Sequence, residues 1–281
     1  MPFQEIFDET LDINSTENYE LAIQISPSNV VFCVLDSMQN KYILLRSFET
    51  DNDNNYTASE INEILQNDDF LNCKYKKVNV IVPAEKSTLV PAQLYDPAKK
   101  DEYFSLNHFY ENNAVILANK IPDIEAYTVF EVSKPVYDII TSRYRNINPV
   151  HHLKPLLNYV YRIGNESKDD YIHLHIEKDF FNLIILNSNN LKFCNSFNYK
   201  NENDILYYAM NVLKSFEINR EASIHLSGLV EKSDDLTSIF SEYIGQLKFS
   251  QPSDNYTFSY AFNGSALHRY INLFNLPNCA L

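Results

Sequence analysis

The chain has 281 residues, of which 45% are hydrophobic and 21% charged, and its formal net charge is −14 at pH 7. This composition is typical of a folded protein and excludes an intrinsically disordered one. The acidic balance also argues against nucleic acid and anionic membranes as partners, because a phosphate backbone is bound by a surface rich in Lys and Arg.

The first 18 residues are acidic and contain neither a basic start nor an apolar run. We therefore predict that residues 1–18 form a partly disordered lead-in and that no secretion signal is present. No segment reaches the roughly 18 apolar residues that a membrane helix needs, so no membrane insertion is expected. The four cysteines form no C-x-x-C pair, which favours reduced thiols and a cytoplasmic protein.

Strand patterns follow the lead-in. Three of them lie at Leu21–Ile25, Val30–Leu35 and Tyr42–Phe48, and their short polar connections favour antiparallel pairing. A capping box begins at Thr57 and predicts a helix, after which the apolar run 78–82 predicts a buried strand. The pattern up to this point is therefore three strands, a helix and a fourth strand.

An insertion near residues 84–125 interrupts this pattern, and two helices are predicted after it, the first starting at Ser133 and the second near Val150. The polar stretch after Gly164 contains the best candidate for a domain boundary. We accordingly assign residues 19–164 to a first lobe and residues 165–281 to a second. A short carboxyl-terminal helix near 266–274 is expected to dock on either lobe.

The second half of the chain repeats the order of the first. Its elements are three strand patterns, a helix over 205–216, a strand over 222–229, a helix after Ser233 and a short strand near 247–250. The first strands align at a constant offset (172 − 21 = 151): Leu21, Ile23 and Ile25 fall on Ile172, Leu174 and Ile176. Such a duplication predicts two like lobes facing a cleft, each with the order β-β-β-α-β-α-β.

Several short motifs accompany the repeat, namely Asn195-Ser-Phe-Asn-Tyr199, Asp204-Ile-Leu-Tyr-Tyr208, Ile224-His-Leu-Ser-Gly228, Leu89-Val-Pro91 and Phe130-Glu-Val132. With them, most of residues 19–275 resembles a family of uncharacterised bacterial proteins, a domain of unknown function built on the actin-like ATPase fold. The resemblance implies an α/β protein with mixed sheets and two lobes, actin-like and ribonuclease H-like. It also implies a strand order of 3-2-1-4-5 in each lobe.

Active members of the actin-like superfamily hold phosphates between two hairpins, one per lobe, and clamp adenosine with a glycine-rich turn. The resemblance places these positions at a small set of candidate residues, Ser26, Ser28, Glu177, Asp179, Ser227 and Gly228. The glycines that phosphate binding needs are missing, since the chain has four where average usage gives about twenty. Pro27 has no N–H to donate, and the bulky Phe180 and Phe181 occupy the second hairpin.

These departures predict a degenerate nucleotide site with no catalytic residue and no cofactor, in a protein-binding or scaffolding module. Asn195 and Tyr207 are candidate contacts to an unidentified protein partner, because tyrosine is favoured at interfaces. The alternative is a divergent ATPase or phosphotransferase that uses Glu177 and Asp179 with ATP and magnesium. A sensor with a new small-molecule ligand in the old cleft is a third, weaker possibility.

Histidines form two further groups in the sequence. His173 and His175 alternate on one predicted strand and His225 lies on another, a trio that zinc can use but that more often packs inside a sheet. The pair His151-His152 precedes a predicted helix and is expected to be a polar cap or loop pair. We favour the structural interpretation for both groups.

Overall fold

The structure is a computed structural model that describes residues 2–50, 54–145, 147–164, 170–187, 190–219 and 221–279. The chain forms two compact units. The first unit comprises Met1–Pro155, Ser253–Ser265 and Asn272–Leu281, and the second comprises Leu156–Pro252 and Ala266–Ile271. The lobe boundary predicted after residue 164 stays a prediction. Within the described residues, no helix combines the length and the apolar character needed to cross a bilayer.

The elements of the first part of the chain are β1 (Gln4–Phe7), β2 (Tyr19–Ile25), β3 (Asn29–Asp36), β4 (Lys41–Glu49), α1 (Ala58–Asn67), β5 (Lys77–Val82), β6 (Ser87–Pro91), α2 (Lys100–Ser105), β7 (Ala114–Ile121), β8 (Ala126–Ser133), α3 (Lys134–Arg143), β9 (Val150–His151) and α4 (Leu153–Gly164). They are followed by β10 (Tyr171–Ile176), β11 (Phe180–Asn187), β12 (Asn190–Asn198), α5 (Glu202–Ser215), β13 (Ser223–Gly228), α6 (Asp235–Ser241), β14 (Gln246–Phe249), β15 (Thr257–Phe258) and α7 (Ile271–Asn275).

The main sheet of the first unit has the strand order β1-β4-β3-β2-β5-β9, with β15 beside β4. Strands β2, β3 and β4 pair antiparallel, whereas β5 and β9 join the sheet parallel to β2. The five strands from β4 to β9 therefore have the predicted order 3-2-1-4-5. Strands β2 and β3 contain few polar residues and are almost wholly buried. Apolar side chains of the sheet therefore pack against α1 and α3.

The sheet of the second unit has the order β12-β11-β10-β13-β14, which is again 3-2-1-4-5. The first two pairings are antiparallel and the last two parallel, as in the first unit. One face of this sheet packs on α5 and α6 through Ile172, Leu174, Ile176 and their neighbours. The duplicated plan and the mixed sheets predicted from the sequence are thus confirmed.

The insertion in the first unit is a small layered subdomain. Strands β6, β8 and β7 form a three-stranded antiparallel sheet, and α2 covers it through the buried side chains of Val90, Phe104, Ile116 and Val129. The fold of this subdomain leaves the loop after α2 exposed, a feature that bears on partner binding below.

The amino-terminal segment differs from the predicted disordered lead-in. Strand β1 adds an edge to the first sheet by pairing antiparallel with β4, and a 3-10 helix occupies Ile13–Asn18. Arg46 on β4 ties the edge down, since it lies 3.0 Å from Glu5 and 2.6 Å from the buried Asp68. Asp68 is therefore a buried, ion-paired carboxylate and not a solvated loop charge. The segment is ordered by pairing with a distant strand rather than by an apolar pattern of its own.

Residues from the carboxyl-terminal part of the chain complete the core of the first unit. Tyr42 on β4 is buried, and its ring centroid lies 5.2 Å from that of Phe258 and 4.8 Å from that of Phe274. Its hydroxyl donates a hydrogen bond to the carbonyl oxygen of Phe274 at 2.8 Å. The predicted terminal helix is shorter than expected, a 3-10 turn over Leu267–Tyr270 followed by α7. The division between the two units falls inside it.

Candidate functional site

The turn between β2 and β3 carries the first pair of candidate residues, and the structure brings them together. Ser26 Oγ accepts a hydrogen bond from the Asn29 N–H at 3.0 Å and lies 3.2 Å from Ser28 Oγ. The Ser26 N–H in turn donates to the Asn29 carbonyl oxygen at 2.9 Å. Both serines are buried. The polar groups that would meet a phosphate are thus bonded within the turn, and Pro27 contributes no donor.

A small cavity of about 220 Å³ adjoins this turn in the first unit, and it is lined in part by Ser26, Lys86, Glu111 and Glu131. Lys86 Nζ lies 2.6 Å from Glu111 Oε1 and 3.4 Å from Glu131 Oε1. One ammonium therefore faces two carboxylates, an arrangement that repels a polyphosphate. The volume also falls below the range of roughly 300–1,000 Å³ that is usual for small-molecule sites.

The turn between β10 and β11 holds the second pair of candidates. Glu177 is buried and Asp179 is exposed, and Tyr199 ties the turn to the residue after β12. The Tyr199 hydroxyl donates to the Glu177 carbonyl oxygen at 2.7 Å, and its N–H donates to the Asp179 carbonyl oxygen at 3.3 Å. Phe180 and Phe181 are buried, as their bulk predicted. Two aromatic side chains therefore fill the space behind this turn.

A row of polar side chains crosses the sheet of the second unit next to this turn. In the strand register His175 on β10 faces Ser227 on β13 and Asn182 on β11, and Asn182 faces Ser196 on β12. Ser227 Oγ lies 2.8 Å from His175 Nδ1 and 2.8 Å from His173 Nε2. The chain of contacts continues from His175 Nε2 to Glu177 Oε1 at 3.2 Å. Ser227 and Glu177, two of the predicted candidates, are thus joined through an imidazole.

These contacts assign the protons along the row. The Glu177 carboxylate only accepts, so His175 donates from Nε2 and accepts at Nδ1 the hydrogen of the Ser227 hydroxyl. Ser227 then accepts from His173 Nε2–H, which leaves His173 Nδ1 as an acceptor without a partner among the described residues. Burial lowers the pKa of His173 well below its usual value, and the neighbouring His175 and His225 lower it further. The His173 imidazole is therefore neutral within this row.

Serine, histidine and glutamate in this order form the set used by serine hydrolases. Ser227 is fully buried, however, and its hydroxyl bonds two imidazoles instead of facing a substrate. The backbone N–H of Leu229, close behind it, donates to the Ile176 carbonyl oxygen at 2.7 Å. The geometry therefore supports a structural role for Ser227, which holds β10 and β13 together, rather than a role as a nucleophile.

His225, the third member of the predicted histidine trio, faces His173 in the strand register and stacks on Tyr171 with ring centroids 4.3 Å apart. Burial and the nearby Lys248 lower the pKa of His225 to about 4. Among the described residues, no three His, Cys, Asp or Glu side chains are placed to hold a metal ion. The sequence analysis named Ser227 as a candidate for the nucleotide cleft but missed that it is the partner of His173 and His175. The signal for this contact is the alternating pattern His-Leu-His on one strand and His-Leu-Ser on its parallel neighbour.

Gly228 ends β13 with a φ of +83° and lies opposite Ile176. A Cβ atom at this position would stand 2.0 Å from the Ile176 carbonyl oxygen, a distance that no side chain tolerates. The positive φ and the close approach of the two strands therefore account for this glycine.

The histidine pair of the first unit is buried, so the prediction of a polar cap or loop pair is wrong. His151 lies on β9, with Nε2 2.9 Å from the Ala84 carbonyl oxygen and Nδ1 3.2 Å from Thr128 Oγ1. Burial, assisted by the adjacent His152, lowers its pKa well below the usual value. The pair is internal because both nitrogens of His151 find partners inside the fold.

The two predicted partner contacts lie in the second unit. Asn195 is exposed on β12, and the described residues pair this edge strand with β11 alone. Tyr207 lies on α5 with 66% of its surface exposed. Both residues are therefore accessible to another molecule.

Two sheets with the order 3-2-1-4-5, each built from three antiparallel strands and two parallel ones, define a protein of the actin-like ATPase fold. A protein of this fold and of unknown function from Bacteroides thetaiotaomicron is similar with a TM-score of 0.83 at 20% identity, over 96% of this chain and 100% of that one. The chain belongs to the family described as Protein of unknown function (DUF3822), whose model matches residues 8–247. The resemblance drawn from the sequence is therefore confirmed for the fold and for the family.

More distant structures share the fold. The PilM-PilN type IV pilus biogenesis complex matches with a TM-score of 0.58 at 13% identity, over 92% of this chain and 98% of that one. The ethanolamine utilization protein EutJ from Carboxydothermus hydrogenoformans matches with a TM-score of 0.51 at 6% identity, over 93% and 90%. No protein with a curated description matches the chain. Identities this low establish a common architecture and leave the activity to be argued from the site.

Proposed function

We propose that this protein is a non-catalytic, actin-like module that binds another protein and has a degenerate nucleotide site. One observation carries the proposal: the positions that hold phosphate and adenosine in active relatives are taken up by internal contacts. Ser26 and Ser28 bond within their turn, and Glu177 faces His175. Gly228 is needed by its own strand pair. Few hydrogen-bond donors at these positions therefore remain to bind a nucleotide.

The alternative predicted from the sequence is a divergent ATPase or phosphotransferase. It requires Glu177 and Asp179 to hold magnesium and orient water or an acceptor. Magnesium would compete with His175 for the Glu177 carboxylate, so the contact of 3.2 Å between them would have to be given up, which costs about 0.5–1.5 kcal/mol before any ligand is bound. No contact of the described residues favours this reading, and the experiment below separates it from the proposal.

The loop after α2 offers a surface for a protein partner. Leu106 and Phe109 are 78% and 93% exposed, and the neighbouring Tyr110 is half-exposed. Phe104, one turn earlier, is fully buried under the same helix. Large apolar side chains this exposed are typical of interaction sites, since covering them removes apolar area from water. We assign this loop as the docking surface for the partner protein.

Nucleotide binding is tested by titration calorimetry and thermal unfolding with Mg-ATP and Mg-ADP. The expected result is no saturable heat and no shift in Tm. A genuine ligand at a hundred times its Kd would add about 2.7 kcal/mol of stability. Saturable binding that Glu177→Gln or Asp179→Asn abolishes would establish the alternative, and turnover of ATP by the same samples would overturn the proposal.

Partner binding is tested with the double variant Leu106→Ser/Phe109→Ser. Proteins retained by the wild-type chain at near-physiological salt are identified, purified and titrated against both forms. Met38→Ser serves as the matched control, because Met38 is 80% exposed on the turn between β3 and β4. The double variant should weaken binding at least roughly tenfold while the control leaves it unchanged. A partner bound equally by all three forms would exclude this surface, and a wild-type chain that retains no partner and turns over ATP would reject the function.

A further inference from the structure

Helix α5 has one face in the core of the second unit and a second face that remains open. Ile205, Ala209 and Leu213 are buried, whereas Tyr207 is 66% exposed. The open face borders a groove of about 720 Å³ between α5 and the end of α6, where Tyr243 is also exposed. A groove of this size beside a helix, with Tyr207 and Tyr243 in its lining, is typical of a surface that another helix covers.

A stripe along the open face of α5 consists of the exposed Asn203, Tyr207 and Lys214 and the half-buried Met210, at the spacing i, i+4, i+7 and i+11 of a helix–helix contact. The stripe is self-complementary. Its spacing is the same when the helix is reversed. An antiparallel copy of α5 therefore places Asn203 opposite Lys214 and Tyr207 opposite Met210. Tyr207 then meets Met210 of the partner subunit twice across a two-fold axis, a favourable contact between sulfur and an aromatic ring.

Charge follows the same symmetry. The antiparallel register brings Lys214 opposite Asn203 of the partner subunit, and the exposed Glu202 precedes Asn203 in the helix. Each long Lys214 side chain therefore has one carboxylate within reach, that of the partner's Glu202, and this contact occurs twice in the pair. Within the groove itself the charged lining residues are Lys214 and Glu217, which balance each other. The groove is therefore a neutral patch on a chain with a net charge of −14, where two copies approach with little repulsion.

From the stripe, its symmetry and its charges we infer that the open face of α5 binds the same face of a second copy of this chain, in an isologous dimer with antiparallel α5 helices. The inference goes beyond the proposed partner binding and does not depend on it, because the loop after α2 belongs to the other unit. It assigns Tyr207 to contact with a second copy.

The test is sedimentation velocity on the full chain over roughly 1–100 μM, a range in which micromolar dimers dissociate visibly. Tyr207→Ala should raise the dimer Kd at least roughly a hundredfold, since an aromatic anchor is lost from both copies. Tyr260→Ala is the matched control, because Tyr260 is 62% exposed in the first unit. Lys214→Glu, a substitution between strong helix formers, should weaken the dimer and should regain affinity when Glu202→Lys is added.

Loss of the dimer in Tyr207→Ala but not in Tyr260→Ala, together with rescue in the charge-swapped double variant, supports the inference. A wild-type chain that stays monomeric over the whole range overturns it. A dimer that survives both Tyr207→Ala and Lys214→Glu also overturns it, since the contact would then lie elsewhere. Far-UV circular dichroism confirms that each variant is folded before it is compared.

Discussion

Replacing Gly228 with alanine tests how closely β10 and β13 approach each other. The chain contains an internal control, because Gly228 and Gly264 have the same φ of +83°. A Cβ at Gly264 would meet nothing within 4 Å, whereas at Gly228 it would stand 2.0 Å from the Ile176 carbonyl oxygen. Both substitutions carry the same backbone strain, and only one of them adds a clash with the main chain.

The magnitudes differ accordingly. A non-glycine residue with left-handed backbone costs about 1–2 kcal/mol, which is the whole expected effect of Gly264→Ala. Gly228→Ala must also push the strands apart, and the hydrogen bond from the Leu229 N–H to the Ile176 carbonyl oxygen lies in the way. Losing that bond adds about 1 kcal/mol, and the loosened packing brings the total to about 4 kcal/mol.

Urea unfolding followed by circular dichroism gives the two free energies, and hydrogen exchange of peptides from β13 localises the effect to the second unit. Gly228→Ala should lower the free energy of unfolding by about 2 kcal/mol more than Gly264→Ala. Equal costs within about 0.5 kcal/mol would refute the close approach of the strands. A Gly228→Ala chain of normal stability that had lost an affinity for ADP would instead return this glycine to a nucleotide site.

Three further outcomes are expected. Ser227→Ala removes the hydroxyl shared by the buried imidazoles of His173 and His175 and should lower the free energy of unfolding in urea by about 2–4 kcal/mol. The control Ser223→Ala removes a hydrogen bond to Gln246 at the exposed start of β13 and should cost less than about 1 kcal/mol. Equal costs would contradict the row of hydrogen bonds. Burial opposes ionisation of Asp8, but hydrogen bonds from Lys41, Ser259 and Thr10 outweigh it and hold the pKa of Asp8 well below its usual value. The ionised Asp8 therefore stabilises the fold above about pH 4, and this stabilisation is lost as the pH falls. Asp8→Asn should reduce the loss of stability measured between about pH 5 and 2. For His225, a pKa lowered to about 4 by burial means that the unfolded chain binds the proton more readily, so stability should fall as the pH drops from about 6.5 towards 4, and His225→Gln should reduce that slope; an unchanged slope would show that other groups set it.

Local patterns in the sequence predict much of the fold. The alternating residues Ile172, Leu174 and Ile176 lie in the core as their period requires, and the copy in the first half does the same. The capping box is present as well, since the Thr57 N–H donates to the Glu60 carboxylate at 2.7 Å and begins α1. These features are predictable because neighbours in the chain determine them, whereas the strand order within each sheet came from the resemblance to the actin-like fold.

What the sequence analysis misses depends on partners that are distant in the chain. Strand β1 is held by β4, and His151 is buried because Ala84 and Thr128 receive its nitrogens. The row from Glu177 to His173 passes through Ser227, which reaches it only in the parallel register of β10 and β13. Side-chain spacing along one strand cannot show which hydroxyl the next strand supplies. The exposed positions of Asn195 and Tyr207 agree with a binding role, which stays a prediction.

The way in which Tyr42 is buried bears on how the chain folds as it is synthesised. Its ring is covered by Phe258 and Phe274. Both residues follow the last strand of the second unit's sheet in the chain and are therefore synthesised after that sheet. Domains usually fold in the order in which they are made. Because the core of the first unit needs these late residues, we expect a nascent chain to pass through a stage in which the amino-terminal strands are complete but the aromatic side chains that cover Tyr42 are missing. Chaperones that shield exposed rings would have most to bind at that stage.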